Sequence, residues 1–527
     1  MPVYGVIDVG SNAIKFKIAR CDPPAHVETL CEEREPVRLG AGVFRGEPIP
    51  RATIDVTVEA FLRFRKLFEL HGVEEARAVA TSAMREAPNG EAVLAELAER
   101  TGVTLEVISG SEEARLIQLG TSLDLGGGAG GGAAGGASGA AAATVLFVDI
   151  GGGSCELSVR EGDEARELVS LPLGAVRLTE TFVSTDPISN GEHRRLKDLI
   201  YSEIRENTSR MAKRSFDLAV GTAGTINAIC ESILAQRDLY PESTPTAIRY
   251  ADISAFHRRL RGMTLDERRA LPEITGNRAD ILIAGAAVLK YVLKTFRPAV
   301  VRASRHGLKD GVLLDLLARR THGGPLESEF HRERLGALVR FGERFQFDRP
   351  HAEHVAQLAM RLFDQLRGAH GLGDEERNLL EAAAIVHAVG RAVNVAAMHK
   401  HSYYIIKNAE LTGFTQDEIA VIANVARYHR RGEPNPRHEN FAPLAAAQRE
   451  VVRWLAAILR VADGLDRHAD GRVRDVAARD GDALTLTLDA DRDADLAVWS
   501  SQRKAGLLER MIGKPVEYAV KVVNAAP

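Results

Sequence analysis

Two stretches of the chain set an aspartate two residues ahead of a glycine turn: "IDVGSN", residues 7–12, and "VDIGGGS", residues 148–154. Gly10, Ser11 and Asn12 in the first, and Gly151, Gly152, Gly153 and Ser154 in the second, suit a turn that aims backbone N–H groups at an anion. The Ser and Asn side chains add donors. Asp8 and Asp149 would repel a phosphate unless a cation stands between, and Mg²⁺ binds through one or two carboxylates together with substrate phosphates. Taken singly, each turn reads as an ordinary hairpin with an acidic flank. The repeat, with Asp at the equivalent place in both copies, favours paired phosphate loops.

Three further segments carry candidate chemistry. In "ISGSEEARLI", Ser109 followed by Glu112 is a capping box, which accounts for Glu112. Glu113 is less accounted for, and a carboxylate held beside a phosphate can serve as general base for water. Arg85, in "TSAMREAPNG", follows a strand; it reads either as a solvated surface arginine or as a bidentate phosphate grip. In "VGTAGTINAI", the small residues Gly221, Thr222, Gly224 and Thr225 join a strand to a helix, either to cradle a phosphate or to pack strand on helix. Farther on, His354, His387, His429 and Asp463 stand out. Buried structural histidines and a solvated basic loop explain them more simply than a metal cluster.

These residues need elements to position them. Residues 3–9 read as a buried strand and 14–19 as an alternating one, together a hairpin. A helix is predicted over 51–71, a strand over "ARAVATSAM", a helix over 90–101 and a short strand at "VTLEVIS". Residues 126–139 form a Gly/Ala tract whose formal GxGxxG match lacks the strand and helix that such a motif requires, so a flexible loop is expected over 126–143. Beyond it the strand–Asp–turn–strand plan recurs, then "FDLAVGTAGT", a helix at "DILIAGAAVLKYVLKTF", and "VVRASRHGLKDGVLLDLLARR". Strands alternating with helices imply an α/β architecture. From 331 to about 468 the pattern is helical, with Val355, Leu358, Ala359, Leu362, Phe363 and Leu366 on one face. The end returns to strand-like alternation, a small α+β tail.

The 527 residues suffice for three or four domains, and 45% hydrophobic with 27% charged residues is ordinary for a globular chain. With 68 Lys and Arg against 72 Asp and Glu, the net charge of −4 leaves any anionic ligand to local groups. Cys21, Cys31, Cys155 and Cys230 show no CxxC spacing, which argues against cysteine-ligated zinc and fits a reducing cytoplasm. No signal peptide or membrane span is evident, and neither a membrane nor a nucleic acid partner is expected.

The segments "IDVGSNAIKFKI", "ATSAMREA", "ISGSEEARLI", "VDIGGGSCELSV", "VGTAGTINAI" and "SRHGLKDGVL" together resemble the exopolyphosphatase/guanosine pentaphosphatase (Ppx/GppA) family. The resemblance implies a duplicated actin/hexokinase/Hsp70-type ATPase fold: domain I over 1–125, domain II over 144–320, and a last helix packing back on domain I. It implies Glu113 as catalytic base, Arg85 as phosphate grip, Asp8, Asp149 and Glu156 as the acids around Mg²⁺ (or Mn²⁺), and residues 221–225 as a nucleotide-contacting loop. Ala13 and Cys155 stand where hydroxyl residues are usual. The helical region, 321–470, resembles an HD-like domain with His354, His387 and Asp463 in motif positions, followed by a small α+β domain over 471–527. Ala388 replaces the aspartate that an active HD site needs, so this domain is expected to be catalytically silent, its basic residues guiding a polyanion. The implied activity is a cytoplasmic, dimeric phosphoanhydride hydrolase. Its substrate is inorganic polyphosphate, which the helical extension favours, or guanosine penta-/tetraphosphate. A sugar kinase or chaperone-like ATPase of the same fold, and a non-catalytic polyphosphate or alarmone sensor, are the competing readings.

Overall fold

A computed structural model describes residues 1–22, 26–125, 143–162, 164–240, 244, 247–275, 278–320, 325–491 and 493–522. The Gly/Ala tract and the loop expected over 126–143 lie, but for residue 143, outside the described residues. The chain divides into two compact units, Met1–Phe330 and His331–Pro527.

The first unit holds the duplication. Strands β1 (Val3–Val9), β2 (Ile14–Asp22), β3 (His26–Glu35), β4 (Glu75–Ala80) and β5 (Glu106–Val107) form a sheet of order β3-β2-β1-β4-β5. Strands β6 (Thr144–Ile150), β7 (Cys155–Glu161), β8 (Glu164–Leu171), β9 (Leu218–Thr222) and β10 (Val300–Ala303) repeat that order as β8-β7-β6-β9-β10. In each sheet an antiparallel hairpin leads, and the fourth strand returns parallel to the first. The seven residues of β1 are all buried, as their apolar run requires. Gly5 is needed there because a Cβ would stand 2.2 Å from the Phe68 ring of the covering helix Arg51–His71.

One boundary differs from the sequence reading. The strand expected through "ATSAM" stops at Ala80, and Ser82–Glu86 forms a short helix whose Arg85 N–H bonds the Thr81 carbonyl. The helix Leu308–Arg320 packs Val312, Leu313, Leu316 and Leu317 into a core shared with Tyr4 and Val6 of β1 and with Leu116 and Ile117 of the helix Gly110–Thr121. Gly311 permits this approach, since its Cβ would meet the Leu116 carbonyl oxygen at 1.8 Å.

In the second unit, helices including Arg349–Gln365, Gln416–Tyr428 and Ala446–Leu465 share one core with a sheet of β11 (Val473–Arg479), β12 (Leu484–Ala490) and β13 (Val516–Val522). The tail at 471–527 is thus continuous with the helical region. Among the described residues, no helix is long and apolar enough to cross a membrane.

Candidate active site

The two glycine turns close with the same backbone hydrogen bond. Gly10 N–H bonds the Ala13 carbonyl at 3.1 Å and Gly151 N–H bonds the Ser154 carbonyl at 3.0 Å, each closing a hairpin. They face one another: a Cβ on Gly152 would lie 2.9 Å from Ser11 Cβ and 3.5 Å from the Asn12 nitrogen. Between them is a cavity of about 90 Å³ lined by both turns, by Asp8, Asp149 and Glu113, and by the cations Lys15, Arg34 and Arg278.

The two acids of "SEEARL" point to different tasks. Ser109 caps the helix by accepting from Glu112 N–H. Glu112 then takes two hydrogen bonds from the buried Arg115 guanidinium, at 2.9 and 2.8 Å, and Arg115 also donates to Asp315 at 2.5 Å. Arg77 and Arg319 complete the ring around Asp315. This buried network fixes the helix, and Glu113, one residue on, faces the cavity. Glu113 is 7% exposed and its Oε2 has no hydrogen-bond partner. Burial, reinforced by the charge of Glu156, pushes its carboxyl well above the ordinary range.

The acids at the two turns differ in their compensation. Asp8 and Asp149 are buried at the ends of their strands. Opposite Asp8 stands Lys15, in a 3.1 Å ion pair, whereas opposite Asp149 stands Glu156. Burial pushes Asp149 up to about 6 and Glu156 up to about 8, the latter also through Asp149. Ser170 donates to Glu156 Oε1 at 2.8 Å, while Oε2 is buried without a partner. Buried oxygen ligands with an unmet negative charge fit a hard divalent cation. The acids do not form a closed three-ligand cage, so a cation here would take one or two carboxylates and complete its shell from water and phosphate, as Mg²⁺ does.

Family models match this chain over most of its length: "Ppx/GppA phosphatase family" over residues 18–320 and "Ppx/GppA phosphatase, domain III" over 334–499. The chain belongs to the Ppx/GppA phosphatase family. It is 25% identical over 490 residues to a guanosine-5'-triphosphate,3'-diphosphate pyrophosphatase of Vibrio parahaemolyticus, covering 93% of this chain and 92% of the relative. A protein of the same name from Photobacterium profundum is 25% identical over 429 residues, covering 81% and 80%. The solved structure of an exopolyphosphatase from Cytophaga hutchinsonii shares the fold, with a TM-score of 0.53 and 24% identity over 61% of this chain and all of that one.

Within this Ppx/GppA member, several residues singled out in the sequence do not line the cavity. Arg85 is exposed and donates to the Ile108 carbonyl at 2.7 Å. It nonetheless acts at a distance, drawing the carboxyls of Glu113 and Glu156 downward. Gly153 packs beneath Phe44 and Ser82, where a Cβ would come within 2.3 Å of each. Gly221 abuts Ile226, and Thr222 donates to the His306 carbonyl at 2.5 Å, so the strand-to-helix half of "VGTAGT" is packing. Gly224 and Thr225 line the cavity with Ala223, whose φ is +71°. Glu156 stands behind Asp149 instead of on the wall. Cys155 has no place among the donors: its side chain is fully buried in the apolar core of the second sheet. The turn position matching Ala13 is occupied by Ser154, by the register of the two hairpins.

Sequence reasoning missed Lys15, Arg34 and Arg278. Lys15 was legible as the residue opposite Asp8 in a hairpin. Arg34 pairs with Lys15 across β2–β3, and Arg278, which donates to the Gly224 carbonyl at 2.8 Å, comes from a distant loop. In the second unit, His351 was missed where His354 had been favoured. His354 bonds the Val473 carbonyl at 2.8 Å and pairs with Asp466. Among the described residues, His351, His387 and Asp463 are the ones whose ligand atoms converge, with His429 beside His387; His387 is fully buried, as expected of a structural histidine, and His429 is buried too instead of lying in a solvated loop.

Proposed function

We propose that this chain is a Mg²⁺-dependent exophosphatase that releases terminal orthophosphate from a phosphoanhydride chain, with inorganic polyphosphate as the substrate class. The observation that carries this reading is Glu113: a buried carboxylate with an unpartnered oxygen, aimed into a cavity shared by two facing glycine turns, while its neighbour Glu112 is held by Arg115. The backbone N–H groups of both turns, with Ser11 and Ser154, hold the terminal phosphoryl group. Lys15, Arg34 and Arg278 attract the chain of phosphates behind it. Glu113 takes a proton from a water whose oxygen attacks the terminal phosphorus. The bridging P–O bond breaks and the shortened chain leaves. Asp149 and Asp8 would hold the Mg²⁺ with Glu156 behind them, and the ion supplies positive charge that offsets the phosphate oxygens and lowers the neighbouring carboxyl pKa values.

A second substrate, guanosine pentaphosphate, is favoured by the name of the relatives that match over 93% and 81% of this chain. The test is orthophosphate release from long-chain polyphosphate and from guanosine pentaphosphate, each with Mg²⁺ and with chelator. Release from polyphosphate that requires Mg²⁺ supports the reading. Release from guanosine pentaphosphate alone moves the assignment to the second substrate, and ADP formation from ATP with neither substrate cleaved refutes both.

A further inference from the structure

In the first unit, the helices Asn190–Asn207, Tyr250–Leu260 and Leu282–Phe296 pack their apolar faces into the core of the second sheet. Where they meet, His193 comes from the first helix, His257 from the second and Lys290 from the third, and Arg261 follows the second. The His193 and His257 rings are 5.3 Å apart, and the His257 ring stands edge-on to Tyr291 at 6.3 Å. None of these residues lines the cavity between the glycine turns, whereas Ile281, at the start of the third helix, does. Lys290 lies about 14 Å farther along that helix, at a rise of about 1.5 Å per residue.

This meeting point holds donors and positive charge without matching acceptors. His257 is 0% exposed, and neither of its ring nitrogens has a hydrogen-bond partner. His193 Nε2 and Arg261 Nε are likewise buried and without a partner. Arg261 spends one terminal nitrogen on Asn190 Oδ1, at 2.9 Å. The charges that bear on Lys290 are those of Arg258, Arg261 and Lys294, all cations, and after burial they lower its pKa. Burial, with Arg261 and Lys290, pushes His193 down to about 4; burial, with Lys290 and His193, pushes His257 down to about 3. At the edge of the group, Asp198 bears on Tyr291. A neutral imidazole always carries one N–H, and a buried donor without an acceptor is costly. A metal ion would suit two imidazoles but not the cations around them. An oxyanion answers both deficits, since its oxygens accept from the N–H groups and its charge offsets Arg261 and Lys290.

We infer that this meeting point of three helices is a second anion site, separate from the catalytic cleft, that takes a phosphate-type oxyanion: orthophosphate or the terminal phosphoryl group of a phosphoanhydride chain. Arg261 and Lys290 supply the countercharge, and His193 and His257 supply donors from the buried side. Beside them, Lys197 and Lys294 lie 6.0 and 5.6 Å from the centre of the Tyr201 ring and continue the positive surface along which a longer chain would run.

The test is equilibrium dialysis of radiolabelled orthophosphate, and in parallel of tripolyphosphate, against the full chain in chelator. Lys290→Met should bind one equivalent fewer than the wild type. Arg261→Gln should weaken that equivalent by about 10–100-fold, the scale of losing a hydrogen bond to a charged group. Lys66→Met, at an exposed lysine elsewhere in the first unit, controls for general surface charge and should keep the equivalent. Lys290→Met relieves the crowding of cations, so in phosphate-free buffer it should melt no lower than the wild type, while the anion should raise the melting temperature of the wild type more than that of the variant. If Lys290→Met does not fold, Arg261→Gln carries the test. An equivalent filled by orthophosphate identifies the free ion as ligand, and one filled by tripolyphosphate alone identifies the chain end. Uptake of both anions that is the same in the wild type and in the folded variants, or an equal loss in Lys66→Met, would overturn the inference.

Discussion

The two glycine turns differ in the charge set across from their aspartates. Opposite the turn aspartate, the first hairpin carries Lys15 and the second carries Glu156. The closing hydrogen bond, the register and the Asp-x-Gly spacing are the same. The first turn therefore carries its own countercharge, and the second depends on a charge from outside. The duplicated scaffold has the glycine turn in both copies and concentrates the unmet negative charge in one, close to Glu113. On the proposed function both turns hold the terminal phosphoryl group, and the unmet charge of the second is what a cation would offset.

The largest effect expected on this comparison comes from the second turn. Asp149→Asn should cost about 10²–10³-fold in kcat, the scale of losing one charge-stabilising group at a reacting phosphoryl, and should abolish the response to Mg²⁺. Steady-state rates across a Mg²⁺ series check this. A residual rate that still rises with Mg²⁺ would place the ion elsewhere.

Next is the stability of the metal-free protein against pH. The raised carboxyls of Asp149, about 6, and Glu156, about 8, bind protons more tightly folded than unfolded. Their contribution is greatest below the unfolded carboxylate range and is lost as pH rises through the folded values. Thermal unfolding should therefore show falling stability from about pH 4.5 to 8, with Mg²⁺ restoring it at the alkaline end. Glu156→Gln should flatten the profile and raise the melting temperature at pH 8. Lys15→Met should do the reverse by leaving Asp8 buried and unpaired. Its cost is about 1–3 kcal/mol, less than for a fully buried pair because the Lys15 side chain is 37% exposed. Equal shifts in the two variants would erase the distinction between the turns.

A smaller effect separates the glycines. Gly152→Ala puts a methyl 2.9 Å from Ser11 and 3.3 Å from Val176, so it should spread the turns and lower kcat/KM with little change in melting temperature. Gly10→Ala meets the Ala13 carbonyl at 3.2 Å and should be milder in rate. The smallest effect on activity is Cys155→Ser. It adds a hydroxyl to the apolar core at about 1–3 kcal/mol of stability and gains no rate, since that side chain never reaches the cavity.

Much of this site was legible in the sequence because its parts are local. A strand, an acid, a glycine turn and a second strand fix their own register, and the repeat of that unit identified the facing pair. Ser109 with Glu112 declared the helix cap and left Glu113 over. The long-range partners were not legible. Arg115 reaches Asp315 from 200 residues away, and Arg278 arrives from a loop with no pattern of its own. Thr222 and Thr225 look alike in the sequence, yet one bonds a carbonyl of a neighbouring loop and the other faces the cavity. Likewise His351 and His354 sit one turn apart on a helix, and only the packing of Asp463 and Asp466 against them decides which points inward.

Single-turnover orthophosphate release by Glu113→Gln, with substrate affinity measured on the same protein, bears on the base assignment itself. Removing the base while leaving both turns intact should keep the substrate Kd near the wild-type value and slow the chemical step by about 10²–10⁴-fold. A variant that binds normally and hydrolyses at the wild-type rate would show that Glu113 is not the group that activates water.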